Sequence, residues 1–173
     1  MQFASWASRM SRAAAALIIV AGIGACADKP KVDASMGPGG GYGKDGGPVT
    51  PGSAREFAVK VGDTVYFTTD NTDLTPDAQT TLRAQAQWLK QYPQYTITVE
   101  GHADERGTRE YNIGLGAKRA ANVRTFLASQ GIEAGRMRTI SYGKERPVAV
   151  CNDISCWSQN RRAQTALNKR AGS

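Results

Sequence analysis

The chain has 173 residues, of which 40% are hydrophobic and 21% are charged, so it is long enough for one ordinary globular domain. Its formal net charge is +7, but the Lys and Arg residues are spread along the sequence without interleaved aromatic side chains, which argues against a nucleic-acid-binding surface. The single histidine, His102, excludes a metal site built on two histidines and leaves no second histidine as a base for a nucleophile.

The N-terminal residues 1–25 carry Arg9 and Arg12, followed by an apolar run from Ala13 to Ile23, and no acidic residue. This layout is typical of a secretory signal peptide. The alternative is a single membrane-spanning anchor, although a transmembrane helix needs ~20 apolar residues and this run is shorter. Removal of residues 1–25, with their two arginines, lowers the charge from +7 to +5. An anionic cell-wall polymer or lipid surface suits a protein of this sign, and export argues further against nucleic acid.

Cys26 ends the sequence Ile23-Gly24-Ala25-Cys26, which resembles a bacterial lipobox. The resemblance implies that cleavage exposes Cys26 and that it carries a diacylglyceryl group and an N-acyl chain; the alternative is an ordinary buried thiol. Two or more acyl chains anchor a protein stably to a membrane. Because Ala27 replaces the aspartate that favours retention in the inner membrane, we expect an outer-membrane, lipid-anchored protein whose domain faces the periplasm. Apart from this lipid we expect no cofactor and no metal.

Residues 26–56 are rich in Gly and Pro and contain few large apolar side chains. Such a segment cannot bury enough surface to offset the entropy of ordering, so we predict a flexible tether. A tether of roughly 30 residues spans about 30 Å on average and reaches ~100 Å when stretched. The folded domain is then predicted to occupy residues 57–173.

Periodicity and turn residues predict the elements of that domain in chain order. A strand over 63–67 precedes a helix that begins at Thr75-Pro76, with Thr as the N-cap, and ends before Pro93. A strand over 95–101 follows, then a helix over 109–130 that Gly131 ends, and strands over 136–142 and 163–168. The order β-α-β-α-β-β predicts a two-layer α/β (α+β) sandwich with both helices on one face of a mixed sheet. The predicted core positions of the two helices are Ala78, Leu82, Ala86, Leu89, Ile113, Gly116, Ala120, Val123 and Leu127.

Cys151 and Cys156 are five residues apart in the loop before the last strand. In an exported protein, paired cysteines usually form a disulfide, which here would stiffen a small loop. The alternative is that the thiols are free or form intermolecular bonds. A metal site would need more ligands than these two thiols and the distant His102 can provide.

Asp104 follows the second strand, where open α/β sheets place ligand-binding loops. On the next helix, Asn112 and Arg119 project about seventy degrees from the centre of the core stripe, so we expect them at the boundary between core and solvent, with Leu115 on the same side. An aspartate and an arginine on one rim suit a zwitterion, because the arginine can grip a carboxylate and the aspartate can accept from an ammonium. The alternative is a structural salt bridge between Asp104 and Arg119.

The stretch from Val99 to Arg124, VEGHADERGTREYNIGLGAKRAANVR, resembles the peptidoglycan-binding signature of OmpA-like domains, in particular that of the peptidoglycan-associated lipoprotein family. The resemblance extends from about Gly62 to Leu167. It implies an OmpA-like fold in which Asp104 and Arg119 bind the diaminopimelate of peptidoglycan stem peptides. It also implies that the same pocket is lined by further residues, namely Phe67, Asp70, Arg106, Asn112 and Leu115. The segment 160–162 matches a family segment too, for which a surface or structural role explains the residues equally well. His102 has a counterpart that is not a catalyst, and we expect it to be hydrogen-bonded within the fold.

The resemblance implies a protein that is not an enzyme: an outer-membrane lipoprotein of the Tol-Pal system that binds peptidoglycan and the periplasmic protein TolB on overlapping surfaces. Its expected role is to tether the outer membrane to the cell wall and to support envelope integrity and cell division. One alternative is a stator-like anchor of a membrane complex, although such proteins carry a transmembrane helix in place of a lipobox. Another is a cell-wall hydrolase that uses Glu100, Asp104 or Glu105, but these carboxylates crowd one short segment without a long cleft.

Overall fold

A computed structural model describes residues 49–169 of the chain. The predicted signal peptide, Cys26, most of the predicted tether and residues 170–173 lie outside the described residues. Within residues 49–169 the chain forms one four-stranded sheet and two long helices that pack on it. None of the helices in this part of the chain is long and apolar enough to cross a membrane.

The sheet contains β1 (Thr64–Tyr66), β2 (Tyr95–His102), β3 (Met137–Gly143) and β4 (Arg162–Lys169), in the spatial order β1-β4-β2-β3. The central strand β2 pairs in parallel with β3 and antiparallel with β4, and β4 also pairs antiparallel with β1. Strands β1, β2 and β3 therefore run in one direction and β4 in the other. As a result, the segments after β1, β2 and β3 and the segment before β4 meet at one edge of the sheet.

The ordered domain begins several residues before the predicted boundary at 57. The Ser53 hydroxyl caps a short helix, α1 (Ala54–Glu56), which continues into a π-helical turn over Phe57–Gly62. Phe57 is buried in the core, and the Tyr95 hydroxyl donates to the Gly52 carbonyl at 2.8 Å. Residues 52–56, predicted as part of the tether, are therefore packed against the domain.

The first long helix, α2 (Pro76–Gln91), begins as predicted. The Thr75 hydroxyl accepts a hydrogen bond from the Ala78 amide, and Pro76 occupies the first helical position. The four predicted core positions of this helix are all buried. Trp88 is buried beside them, and its ring packs against those of Phe57, Tyr92 and Tyr95.

The second long helix, α3 (Arg109–Ser129), lies very close to the sheet because glycines meet at the crossing. A Cβ atom at Gly101 of β2 would collide with the Gly116 backbone, and a Cβ atom at Gly116 would collide with Ser141 and Gly101. The Ser141 hydroxyl also donates to the Ile113 carbonyl at 2.7 Å. This close approach fixes α3, and therefore the side chains at its N-terminal half, relative to the end of β2.

The segment between β3 and β4 contains a helix that the sequence did not predict. This helix, α4 (Ile154–Asn160), begins at Asp153, whose carboxylate accepts from the Ser155 amide at 2.8 Å. A short 3-10 turn over Ala134–Arg136 was likewise not predicted. The helix α1 and the π-helical turn over Phe57–Gly62 were not predicted either. The two long helices and the four strands agree with the prediction, and the result is the α+β sandwich that was expected.

Candidate functional site

Asp104 lies at the sheet edge where the segments after β1, β2 and β3 meet the start of β4. Its carboxylate accepts two hydrogen bonds from the Arg106 side chain, at 2.7 and 3.1 Å, and one from Arg161 at 3.2 Å. Burial raises the pKa of the Asp104 carboxyl, but the hydrogen bonds from Arg106 and Arg161 outweigh burial and hold the pKa below the ordinary aspartate value. Asp104 is therefore an ionised carboxylate, and it has one exposed arginine partner and one buried partner.

Exposure distinguishes these two arginines. The Arg106 side chain is 42% exposed, whereas that of Arg161 is 7% exposed. Arg161 also donates to the Phe67 carbonyl at 3.2 Å, and the Phe67 amide donates back to the Arg161 carbonyl at 2.9 Å. Arg161 is therefore fixed between the segments flanking β1 and β4. Sequence reasoning left Arg161 outside the site, although the family segment at 160–162 was a signal for it.

Arg119 does not lie at the boundary between core and solvent, as predicted, but is completely buried. Its guanidinium donates to three backbone carbonyls, those of Thr68, Asn71 and His102, at 3.2, 3.0 and 2.8 Å. It also lies over the Phe67 ring, 5.0 Å from the centroid. Burial lowers the pKa of Arg119 to about 10, opposed by the attraction of Asp104. Since two of these carbonyls belong to the segment after β1 and the third to the last residue of β2, Arg119 holds the segment after β1 against the end of β2.

Asp104 and Arg119 are not joined by an ion pair within residues 49–169, so the salt bridge considered as an alternative is not what the structure shows. Asn112, expected at the boundary, is also buried, and its amide donates to the Arg106 carbonyl at 2.7 Å. Phe67 is buried beneath Arg119. We refer to Asp104, Arg106, Arg119, Arg161 and Phe67 as the inner site.

Beside the inner site is an open groove of about 330 Å³, which we call the outer groove. Its lining residues are Asp70, Thr72, Glu110, Tyr111, Gly114, Leu115 and Lys118. Asp70 has a left-handed backbone with φ of 51°, which is unusual for a residue other than glycine and is found preferentially at functional sites. Thus the seven predicted residues come together at one edge of the sheet, but Asp70 and Leu115 line the outer groove while the others form or support the inner site.

The loop that carries Arg106 is held from outside by the segment between β3 and β4. The Trp157 indole donates to the Glu105 carboxylate, and the Arg106 guanidinium lies 4.3 Å from the centroid of the Trp157 ring system. The Lys144 ammonium donates to the Glu105 and Gly107 carbonyls at 3.2 and 2.7 Å. Trp157 and Lys144 were not predicted, because nothing in their local sequence indicates contact with a loop some 40 to 50 residues earlier.

A disulfide joins Cys151 to Cys156, as the spacing predicted, with Cα atoms 5.6 Å apart. It connects the preceding loop to the first turn of α4. The Asn160 side chain holds the same loop by accepting from the Val148 and Ala149 amides and donating to the Ala149 carbonyl. The disulfide therefore stabilises the helix on which Trp157 lies.

His102 is buried at the end of β2, but the expected hydrogen bond is absent: neither ring nitrogen has a hydrogen-bond partner in the described part of the chain, and Nε2 lies 3.9 Å from a Glu100 carboxylate oxygen. Its ring lies 5.6 Å from that of Tyr142. Burial, with the nearby charges of Arg162 and Arg146, lowers the pKa of His102 to about 4, so the ring is neutral at ordinary pH. Among residues 49–169 no group of three or more His, Cys, Asp or Glu side chains is placed to hold a metal ion.

Two of the carboxylates considered for hydrolysis, Asp104 and Glu105, are bound by other side chains and do not form an acid and base pair. Asp104 is bound by two arginines and its pKa is lowered, whereas a general acid needs a raised pKa. Glu105 is bound by Trp157. These contacts make Asp104 an acceptor for a cation rather than a proton donor.

The fold and this site define an OmpA-type domain. The OmpA family matches residues 66–162, and the chain belongs to this family. The peptidoglycan-associated lipoprotein of Agrobacterium fabrum (strain C58) is 60% identical over 152 residues, which cover 88% of this chain and 85% of that protein. The corresponding protein of Pseudomonas aeruginosa is 44% identical over 127 residues, or 73% of this chain and 75% of that one.

Solved structures agree with this assignment. The crystal structure of the peptidoglycan-associated lipoprotein from Burkholderia pseudomallei is 43% identical, with a TM-score of 0.60, and covers 61% of this chain and 90% of that one. The C-terminal domain of Helicobacter pylori MotB has a TM-score of 0.59 over 63% of this chain and 86% of that one, but at 22% identity it shows the fold alone. The lipoprotein relatives are named for an association with peptidoglycan and not for a catalytic activity, in agreement with the prediction that this chain is not an enzyme.

Proposed function

We propose that this chain is an outer-membrane lipoprotein that binds peptidoglycan non-covalently and tethers the outer membrane to the cell wall. The observation that carries the proposal is the state of Asp104. It is a buried, ionised carboxylate with one exposed partner, Arg106, and a cation of the ligand can take the place of that partner. The choice of ligand is supported by the membership of the chain in the OmpA family and by its sequence identity to peptidoglycan-associated lipoproteins.

The ligand is the free amino-acid centre of diaminopimelate in the stem peptide. Its ammonium takes the place of the Arg106 guanidinium on Asp104, while Arg161 keeps its hydrogen bond to the same carboxylate. In the proposed exchange, displacement of Arg106 opens a path to the buried Arg119, which binds the ligand carboxylate. Arg119 has five N–H groups and uses three of them on backbone carbonyls. Asn112 supports the exchange, because it fixes the backbone of the Arg106 loop while the side chain moves.

The N-terminal part of the chain supplies the anchor in this proposal. Residues 1–25 are a signal peptide, Cys26 carries the diacylglyceryl and N-acyl chains, and the Gly/Pro-rich segment up to about residue 50 connects the lipid to the domain. We further propose that the domain faces the periplasm and takes part in the Tol-Pal system by binding TolB, which supports envelope integrity and cell division. These proposals rest on the family resemblance and on the lipobox.

Co-sedimentation with purified sacculi tests the binding. The full-length chain in detergent is compared with Asp104→Asn and with Glu133→Gln, a control that removes an exposed carboxylate before β3, at the opposite end of the sheet from the site. We expect Asp104→Asn to lose at least ten-fold in affinity and Glu133→Gln to bind like the wild type, with circular dichroism showing both variants folded. Equal binding by all three proteins would contradict the proposal.

Two further experiments test the anchor and the partner. Labelling of cells with radioactive palmitate is expected to mark the wild type and not Cys26→Ser; label in the variant would contradict lipidation at Cys26. Purified TolB is expected to be retained by the immobilised chain and displaced by soluble muropeptides. Retention that muropeptides do not reduce would contradict an overlap of the two surfaces.

A further inference from the structure

The outer groove contains charged side chains that the proposed exchange at Asp104 does not use. Asp70, Glu110 and Lys118 are exposed around it, together with the aromatic ring of Tyr111, which is 52% exposed. Within residues 49–169, neither Asp70 nor Lys118 forms an ion pair. The groove therefore offers a cation and carboxylates that are available to a ligand.

The outer groove lies beside the inner site. Arg119 donates to the Thr68 and Asn71 carbonyls, which lie on either side of Asp70 in the chain, and Asp70 itself lines the groove. Lys118 is adjacent to Arg119 on α3, and consecutive residues of an α-helix point about 100° apart. Arg119 is accordingly buried, whereas Lys118 is exposed and lines the groove. A ligand bound at Asp104 can extend past Asp70 towards Lys118.

We infer that the outer groove binds the residue that precedes diaminopimelate in the stem peptide, a γ-linked glutamate, and that Lys118 binds its free α-carboxylate. This inference rests on the proposed function. A γ-linkage leaves the α-carboxylate of glutamate ionised, one residue away from the diaminopimelate centre. Lys118 is the cation that lines the groove, and Tyr111 and Leu115 provide surface for the aliphatic part of the peptide.

Binding of the α-carboxylate by Lys118 makes the affinity of the protein sensitive to the chemistry of the cell wall. Amidation of the glutamate α-carboxylate replaces an anion by a neutral carboxamide, which Lys118 binds less well. The diaminopimelate centre itself is unchanged, so the inner site does not distinguish the two forms. Exposed ion pairs contribute modestly, which corresponds to a preference for the acid of about five-fold.

Isothermal titration of the full-length chain in detergent tests the inference with three ligands: meso-diaminopimelate, the dipeptide γ-D-glutamyl-meso-diaminopimelate, and the same dipeptide with its glutamate α-carboxylate amidated. We expect the wild type to bind the acid dipeptide about five-fold more tightly than the amide. Lys118→Gln is expected to abolish this preference while its affinity for meso-diaminopimelate stays unchanged. The control Lys90→Gln, on the exposed side of α2, is expected to keep the preference.

The outcomes distinguish the inference from the proposed function. A wild type that binds both dipeptides equally, or a Lys118→Gln variant that keeps the preference, would overturn the role of Lys118 while leaving Asp104 as the anchor. If Asp104→Asn binds meso-diaminopimelate as well as the wild type does, or if the wild type binds none of the three ligands, the proposed function fails and the inference fails with it.

Discussion

Arg119 is expected to stabilise the fold as well as the site, and replacing it by methionine tests this. The substitution removes three hydrogen bonds to backbone carbonyls, and a bond from a charged donor contributes about 1.5–3 kcal/mol, so the loss is roughly 5–9 kcal/mol before any compensation. Burial lowers the pKa of Arg119 to about 10, which means that burying the charge costs about 3 kcal/mol, and methionine removes this cost. We therefore expect Arg119→Met to lower the free energy of unfolding by about 2–6 kcal/mol.

Urea-induced unfolding, followed by the fluorescence of the buried Trp88, measures this change. Arg136 offers a matched control, because its guanidinium also donates to three carbonyls, those of Leu89, Tyr92 and Tyr95, far from the candidate site. Arg136→Met is expected to be destabilised while binding sacculi normally in the folded state. Arg119→Met is expected to be destabilised and also to lose binding. A loss of stability below about 1 kcal/mol in Arg119→Met would refute the structural role.

Three further predictions concern stability. The pKa of His102 is about 4 in the fold and near 6.5 in the unfolded chain, so protons favour the unfolded state as the pH falls from 6.5 to 4. The free energy of unfolding of the wild type, measured by urea titration, should fall by about 3 kcal/mol across this window relative to that of His102→Gln. The same pH dependence of stability in both proteins would contradict this. Replacing Cys151 and Cys156 by serine should cost about 2 kcal/mol by loop entropy, and an unchanged urea midpoint would speak against it. Gly101→Ala should fail to fold or should melt at a much lower temperature, because its Cβ would meet the α3 backbone. Gly114→Ala, whose Cβ would enter open space, should stabilise α3 by up to about 1 kcal/mol. Equal melting temperatures of the two variants would contradict the close approach of α3 to β2.

The fold was predictable because local signals and tertiary packing agree. Thr75 and Pro76 mark the start of α2, and the helical stripe that follows is the stripe that the sheet buries. Gly131, with φ of 90°, follows the end of α3 where the prediction placed a breaker. What failed were short elements that are stabilised by contacts with a neighbouring loop and not by a helical stripe of apolar residues. The helix α4 spans seven residues, and the disulfide and Asn160 hold it to the preceding loop.

The composition of the candidate site was predicted better than its geometry. Helical periodicity correctly places Arg119 away from the centre of the core stripe. It gives no information about the Thr68 and Asn71 carbonyls, which lie 51 and 48 residues earlier in the chain and accept hydrogen bonds from the buried Arg119 side chain. Likewise, Arg161 reaches Asp104 across 57 residues, a contact that depends on the antiparallel direction of β4. Side-chain burial at this site is thus set by loops that meet only in the folded chain.

The charge balance of the inner site bears on the kind of ligand that it can accept. Arg106, Arg119 and Arg161 surround Asp104, so positive charge exceeds negative charge there, and Asp70 compensates only from the outer groove. A ligand with only an ammonium would exchange one cation for another on Asp104 and leave Arg119 without an anion. An amino-acid centre brings a carboxylate together with its ammonium, and this carboxylate offsets the excess positive charge at the moment when Arg106 is displaced. For this reason, under the proposed function, a zwitterion should bind more tightly than a simple amine of the same length.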